Sequence, residues 1–321
     1  MKAIRVHELG GPEVLRYEEI PRPSPGPGEA LVKVEAIGLN FIDCNFRMGA
    51  YKTTLPFVPG MEAAGTVAAA GPDVTEACVG DRVAYAPHLG AYAEYAIVPS
   101  GRLVKLPDGL DARAAAATIL QGMTAHYLAT SVYPLKQGDT ALVHAAAGGV
   151  GLLLIQIGKM RGARVFGTVS TPEKAEVARG AGADEVIRYT DQDFEAEVMR
   201  LTDGQGVNAV YDGVGKTTAD ASLKCVGIRG VLALYGQASG PVPPVDPLRL
   251  WGHSVFLTRP ALAHYTRTRA ELLQRAGDVL EWVRSGKLQV RISQILPLKD
   301  APEAHRLLQG RQTTGKVLLV P

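Results

Sequence analysis

Cysteine is scarce in this chain: three among 321 residues, at 44, 78 and 225, with no C-x-x-C pair. That excludes a disulfide framework and a four-cysteine zinc site, and it fits a reducing compartment. No run approaches the roughly 18 apolar residues of a membrane span, and "MKAIRVHELGGPEVLRYEEI" lacks the apolar core of a secretory leader. A cytoplasmic protein is expected. An excess of one charge is also absent, since 34 basic against 32 acidic residues give +2, so bulk electrostatics does not drive binding to nucleic acid or a membrane surface. The seven histidines, at 7, 88, 126, 144, 253, 264 and 305, show no H-x-x-x-H spacing, and no G-x-S-x-G elbow supports a hydrolase.

What is present is the composition of a globular protein, 46% hydrophobic and 21% charged, long enough for about two domains. Up to Leu120 short alternating runs, "AIRVHEL", "EALVKVEAIGLN", "AAGTVAAAG", "GDRVAYAP", "AYAEYAIVP" and "RLVKLP", are broken by Gly and Pro. They predict a mostly β domain in the form of a compact barrel. "PRPSPGPGEA" reads as a rigid connection between two strands. Asp111 then opens a helical pattern, after which strand-like "TALVHA", "ARVFGTV", "DEVIRY", "VNAVYDGV" and "GVLALYG" alternate with helical runs. Such alternation predicts a parallel α/β sheet buried on both faces. The tail, "VRISQILPLKDAPEAHRLLQGRQTTGKVLLVP", reads as strand, short helix and strand returning to the first domain. The expected division is residues 1–122 with 262–321, and 123–261, with a ligand cleft between the two.

"LVHAAAGGVGLLLIQIGKM", from Leu142 to Met160, lies between a strand and a helix, where a dinucleotide fingerprint G-x-G-x-x-G belongs. Its three slots hold Ala146, Gly148 and Gly151. Small residues there serve close strand–helix packing, and they also let backbone N–H groups approach a pyrophosphate at a helix N-terminus. The carboxylate expected about 20 positions on, for an adenosine ribose, is missing: Val169, Ser170 and Thr171 stand there, with Lys174 one turn later. A hydroxyl and an ammonium suit the extra phosphate of NADPH. Ser170 as a helix cap and Lys174 as a solvated side chain is the alternative. "DGVGKTT", Asp212 to Thr218, imitates a nucleotide-triphosphate loop, but Val210 occupies the place of its first glycine. His144, at a strand end, reads as structural.

Together "GLNFIDCNFRMGAY", "PFVPGMEAAGTV", "GDRVAYAP", "LQGMTAHYL", "HAAAGGVGLLLIQ" and "TGKVLLVP" resemble the quinone oxidoreductase branch of the medium-chain dehydrogenase/reductase superfamily, the branch that includes zeta-crystallin. The resemblance spans essentially the whole chain. It implies a GroES-like β-barrel catalytic domain plus a Rossmann domain with a doubly wound parallel sheet, NADPH in the cleft, and a homodimer paired through the Rossmann edge strand in "HSVFLTRP". Zinc-dependent relatives carry a cysteine where Asn40 stands and a histidine where Met61 precedes Glu62. Neither substitute suits zinc, so no metal is expected; Cys44 reads as a small buried side chain.

The resemblance carries catalytic expectations onto Asn40, Asp43 and Tyr51, and a substrate pocket onto Asn45, Arg47 and Tyr51. Asn45 replaces a tyrosine frequent in relatives. Coenzyme contacts are implied for Asn40, Gln121 and Thr124 on the nicotinamide side and for Gly148, Gly149 and Val150 at the pyrophosphate. They are implied also for Ser170, Lys174 and Tyr189 at the 2′-phosphate, and for Tyr235, Gly236, Gln237, Phe256, Leu257, Thr258 and Arg311. Gln121 and Thr124 as helix-satisfying groups, and Arg311 as a surface residue, are the alternatives. The expected activity is zinc-independent reduction of a quinone by NADPH, since a quinone accepts reducing equivalents without a Lewis acid. Reduction of an activated C=C bond in an enone or enoyl thioester shares the scaffold. A crystallin-like or RNA-binding role is the reading from another class, but no basic-aromatic stripe supports nucleic acid.

Overall fold

The structure, a computed structural model, describes all 321 residues and divides into two compact units: Met1–Met123 with Thr266–Pro321, and Thr124–Tyr265. The first division falls within the helix Ala112–Tyr127.

The unit containing both termini is built on the strand Glu29–Gly38, whose alternation EALVKVEAIG turns most apolar side chains inward. One edge pairs antiparallel with Ala63–Ala70, which continues to Arg82–Tyr85 and Val104–Lys105. The opposite edge is shared: Tyr95–Pro99 takes residues 29–33, while Lys316–Val320 takes Ile37 and Gly38. Ile292–Pro297 lies parallel to that last strand. The tail therefore returns to the first strands. Ile4, Val32, Ile37, Val67, Tyr85, Tyr92, Leu298 and Leu319 are buried in one apolar core here. The proline-rich 21–28 connects Leu15–Glu19 to Glu29–Gly38.

The unit 124–265 holds a six-stranded sheet in the order Glu185–Arg188, Arg164–Val169, Thr140–Val143, Val207–Asp212, Val226–Leu234, Phe256–Thr258, with every neighbouring pair parallel. Numbered along the chain this is 3-2-1-4-5-6, the doubly wound order in which direction reverses beside the first strand. The inner strands are continuous apolar runs because helices cover both faces; Leu142, Phe166, Val210 and Leu232 are buried to within 1%.

The turn between Thr140–Val143 and the helix Gly149–Met160 admits no larger side chain at two glycines. A Cβ on Gly151 would meet Ala145 O at 2.5 Å, and one on Gly167, in the next strand, would meet Ala146 Cβ at 2.7 Å. Ala145 itself is held at φ +50°, a left-handed conformation that costs an alanine roughly 1 kcal/mol or more.

Candidate active site

Asn40 follows the central strand and precedes the helix Phe41–Arg47. Its side chain, 4% exposed, uses its full hydrogen-bonding capacity. Nδ2 donates to Gly38 O (3.1 Å) and Glu62 Oε1 (2.7 Å); Oδ1 accepts from Lys316 Nζ (2.9 Å) and Gln121 Nε2 (3.1 Å). The neighbouring charges fix which end of the amide is which, because a flipped amide would set its NH₂ against the lysine ammonium. Glu62 is fully buried, ion-paired with Lys316 through Oε1, and accepts the Leu120 N–H through Oε2 at 2.7 Å. Burial pulls Lys316 below the ordinary lysine range, and the Glu62 carboxylate opposes that pull. Gln121 Oε1 is buried without a hydrogen-bond partner.

A second buried chain ends on the same helix. Arg47 Nη1 lies 2.9 Å from His305 Nδ1, His305 Nε2 lies 3.1 Å from Tyr92 Oη, and Tyr92 O–H donates to Asp43 Oδ2 at 3.1 Å. Arginine only donates, so His305 Nδ1 accepts and its proton sits on Nε2, facing the tyrosine oxygen. Burial and the adjacent guanidinium push His305 down to about 3, which keeps the ring neutral. Asp43 Oδ2 also takes the Asn40 N–H at 2.9 Å, and Oδ1 has no partner. Desolvation, ahead of every other influence, raises this carboxyl to about 7.

Arg47, expected in the substrate pocket, and Asp43, expected among the catalytic residues, are fully buried, with Arg47 spent on Gly10 O, His305 and Gln309. Asn45 and Tyr51 are the half-buried polar groups of that segment; the Tyr51 ring leans on Phe46 at 5.5 Å. No local signal in the sequence marks Lys316 or Tyr92 as part of a site, whereas His305 shares a helical face with the buried Ala301 and Ala304.

In the unit 124–265, Gly148 caps the helix Gly149–Met160, and the first amide to find a carbonyl is that of Leu152, bonded to Gly148 O. The N–H groups of Gly149, Val150 and Gly151 are left over, as at any helix start. At the ends of the two flanking strands Lys174 Nζ lies 3.4 Å from Ser170 Oγ, Thr190 Oγ1 donates to Ser170 O, and Tyr189 N–H bonds to Val169 O. Ser170, Lys174 and Tyr189 are thus brought together. The cap of the helix Pro172–Gly180 is Thr171, not Ser170. Gly236 is pressed on Gly213, and Gln237 Oε1 accepts from Arg259. Phe256, Leu257 and Thr258 form the sheet's edge strand, Thr124 is buried, and Arg311 sits in an exposed turn at φ +57°.

Known proteins share this fold. Residues 26–108 match the model of the alcohol dehydrogenase GroES-like domain, and 149–276 that described as zinc-binding dehydrogenase. A quinone oxidoreductase of Pseudomonas aeruginosa is 45% identical over 100% of this chain and 99% of its own. The chain belongs to the quinone oxidoreductase family of the medium-chain dehydrogenase/reductase superfamily. A 2-haloacrylate reductase of a Burkholderia species is 42% identical over 98% of both chains. The crystal structure of Escherichia coli quinone oxidoreductase complexed with NADPH superposes with a TM-score of 0.98 at 40% identity, covering 100% of each chain.

The zinc of other superfamily members does not fit the donors present. Asn40 has both lone pairs and both amide protons engaged, the adjoining Glu62 is neutralised by Lys316, and nowhere do three His, Cys, Asp or Glu side chains gather as a metal site.

Two outcomes test the cluster. Lys316→Met strands the Glu62 carboxylate in the interior and is expected to cost about 3–5 kcal/mol in urea unfolding, with Glu62→Gln added to it recovering part of the loss; a change within 1 kcal/mol would refute the burial argument. Asp43 has a folded-state value near 7 against 3.8 in the unfolded chain, so its contribution to stability is greatest below pH 4 and falls until pH 7. The slope is at most about 1.4 kcal/mol per pH unit. Asp43→Asn should therefore gain on the parent as pH rises from 5 to 7.5, and parallel stability curves would contradict the assignment.

Proposed function

We propose that this chain is an NADPH-dependent quinone oxidoreductase that works without zinc. Full-length identity to quinone oxidoreductases, one solved with NADPH, carries the reading. On it, the unit 124–265 is the coenzyme domain. Gly148, with the free amides of Gly149, Val150 and Gly151, receives the pyrophosphate, where the partial positive charge of a helix start is useful. The Ser170 hydroxyl, the Lys174 ammonium and Tyr189 surround the 2′-phosphate; a carboxylate at the end of that strand would repel it. Tyr235, Gly236, Gln237, Phe256, Leu257, Thr258, Gln121, Thr124 and Arg311 complete the coenzyme contacts.

The coenzyme supplies reducing equivalents, and the protein supplies placement. Asn40 and Asp43 act as positioning residues: Asn40 holds Gln121 with its orphan Oε1 in a fixed pose, and Asp43 anchors the Asn40 backbone. Asn45 and Tyr51 meet the acceptor, with the Tyr51 hydroxyl as proton donor. Without a Lewis acid the acceptor must already be electron-poor, which suits a quinone. Reduction of an activated C=C bond, with Tyr51 protonating the α-carbon, is the second reading, favoured by the identity to a 2-haloacrylate reductase. The site of action is the cytoplasm. The chain pairs as a homodimer through the edge strand Phe256–Thr258, where Phe256 is 63% exposed, with Ile228 of the neighbouring strand and Leu248 and Trp251 of the preceding helix 72%, 79% and 84% exposed. So large a group of exposed apolar side chains suits an interface.

Steady-state assays with NADPH or NADH, ortho- and para-quinones, an enone, 2-chloroacrylate and crotonyl-coenzyme A, run with and without chelator, test the activity. Quinone turnover with NADPH, unaffected by chelator, is expected; an NADH preference or loss of turnover in chelator sinks the coenzyme or zinc-free part. Lys174→Glu should raise the NADPH KM about tenfold or more and leave that for NADH nearly unchanged. Equal losses for both coenzymes would remove Lys174 from the phosphate. In sedimentation the protein should run as a dimer and a Phe256→Lys, Trp251→Glu variant as a monomer; a monomeric parent at micromolar concentration rules the pairing out.

A further inference from the structure

His144 and the Asp212–Thr218 loop, both prominent in the sequence, have no part in the chemistry so far. In the fold they meet behind the coenzyme turn. His144, Thr168, Asp212 and Ser222 are each at most 1% exposed. They stand at or beside the C-terminal ends of strands 1, 2 and 4 of the parallel sheet and on the helix Ala219–Lys224. Asp212 Oδ1 accepts the Val214 and Gly215 N–H groups at 2.8 and 3.0 Å; Oδ2 accepts the hydroxyls of Thr218 at 2.7 Å and Ser222 at 3.0 Å.

Proton positions follow from this set. A carboxylate ringed by donors only accepts, so the single Ser222 proton points at Asp212. The Ser222 oxygen lies 2.9 Å from His144 Nε2, which must then donate, and the bare Nδ1 accepts the Thr168 hydroxyl at 2.8 Å. The result is a one-way chain, Thr168 to His144 to Ser222 to Asp212, running through a neutral ring. Burial, which holds His144 below its ordinary value, supports that state. The backbone on either side of the strained Ala145 belongs to the same assembly: His144 N–H bonds to Tyr211 O and Ala146 N–H to Thr168 O, both at 3.0 Å.

We propose that His144, as its Nε2–H tautomer, is a positioning residue of the coenzyme site, tying the turn 145–151 to the loop 213–218 through Thr168, Ser222 and Asp212. A left-handed alanine persists only where its surroundings over-determine it, and this chain does so from both flanks. The role rests on the coenzyme reading above. Loss of a link lets the turn relax, so the amides of Gly149, Val150 and Gly151 lose their preset direction, and binding weakens while the reacting groups stay as they were.

The test combines spectroscopy of the parent with variants. Nitrogen-15 NMR of the intact protein should show His144 protonated on Nε2 alone at neutral pH; an Nδ1–H tautomer or a doubly protonated ring would overturn the proposal. Ser222→Ala and His144→Ala should each raise the NADPH Kd and KM by about tenfold, with kcat at saturating NADPH within about twofold. His144→Gln, which keeps a donor for Ser222, should recover part of the affinity. Variants that unfold more easily yet bind NADPH as the parent does would reduce the cluster to a packing feature and refute the proposal alone. A parent that binds no NADPH would refute the coenzyme reading with it.

Discussion

The unit containing the chain ends depends on one buried ion pair, Lys316 with Glu62, and on what that pair needs to survive. Each ion loses several kcal/mol of hydration on burial, which a single partner does not fully return. Further hydrogen bonds must satisfy what the pair leaves open. They come from Asn40 to both ions and from the Leu120 amide to Glu62. The demand joins four separate pieces of chain: the final strand, the end of the central strand, the segment before Ala63–Ala70, and the helix Ala112–Tyr127. Gly38 is part of the same constraint, since a Cβ there would collide with the Glu62 carboxylate and Ala116 O.

Both units handle buried polarity in one way, by passing it through neutral histidines with a defined direction. His305 accepts a hydrogen bond from Arg47 and donates one to Tyr92; His144 accepts one from Thr168 and donates one to Ser222. Each chain ends on an aspartate, Asp43 or Asp212. A ring that accepts on one nitrogen and donates on the other leaves no orphan atom, whereas a charged ring would present two donors where one is wanted. The unsatisfied atoms that remain in this machinery are Asp43 Oδ1 and Gln121 Oε1.

Much of this was legible in the sequence, for physical reasons that also mark where legibility stops. Period-two runs and continuous apolar runs are local signals, and they located the antiparallel strands and the parallel sheet. Glycine at 148 and 151 and the missing acid near Ser170 are local as well, and the fold brings Ser170, Lys174 and Tyr189 together. Lys316 is different, because nothing in "TGKVLLVP" says that the lysine opening an apolar strand will be buried. Its partners lie 254 and 276 residues earlier. Arg47 shows the same limit from the other side: nothing local to a helix-borne arginine tells that its acceptors are Gly10, His305 and Gln309. The burial of His305 could have been inferred, since it falls on the stripe of Ala301 and Ala304.

The Lys316–Glu62 pair also bears on what kind of acceptor suits this scaffold. A metal ion or an unpaired ammonium would polarise a carbonyl or stabilise an alkoxide. The ammonium here is compensated by a carboxylate and an amide oxygen at hydrogen-bonding range, and it is 1% exposed. Its charge is consumed in holding Asn40, and little field is left to direct at a bound molecule. On the proposed function, chemistry at such a site draws its electrophilicity from the acceptor itself, a property quinones and conjugated alkenes share and simple ketones or alcohols lack. Quinones and activated alkenes therefore suit one scaffold, and on the proposed function their discrimination falls to the half-buried side chains of Asn45 and Tyr51, outside the locked cluster.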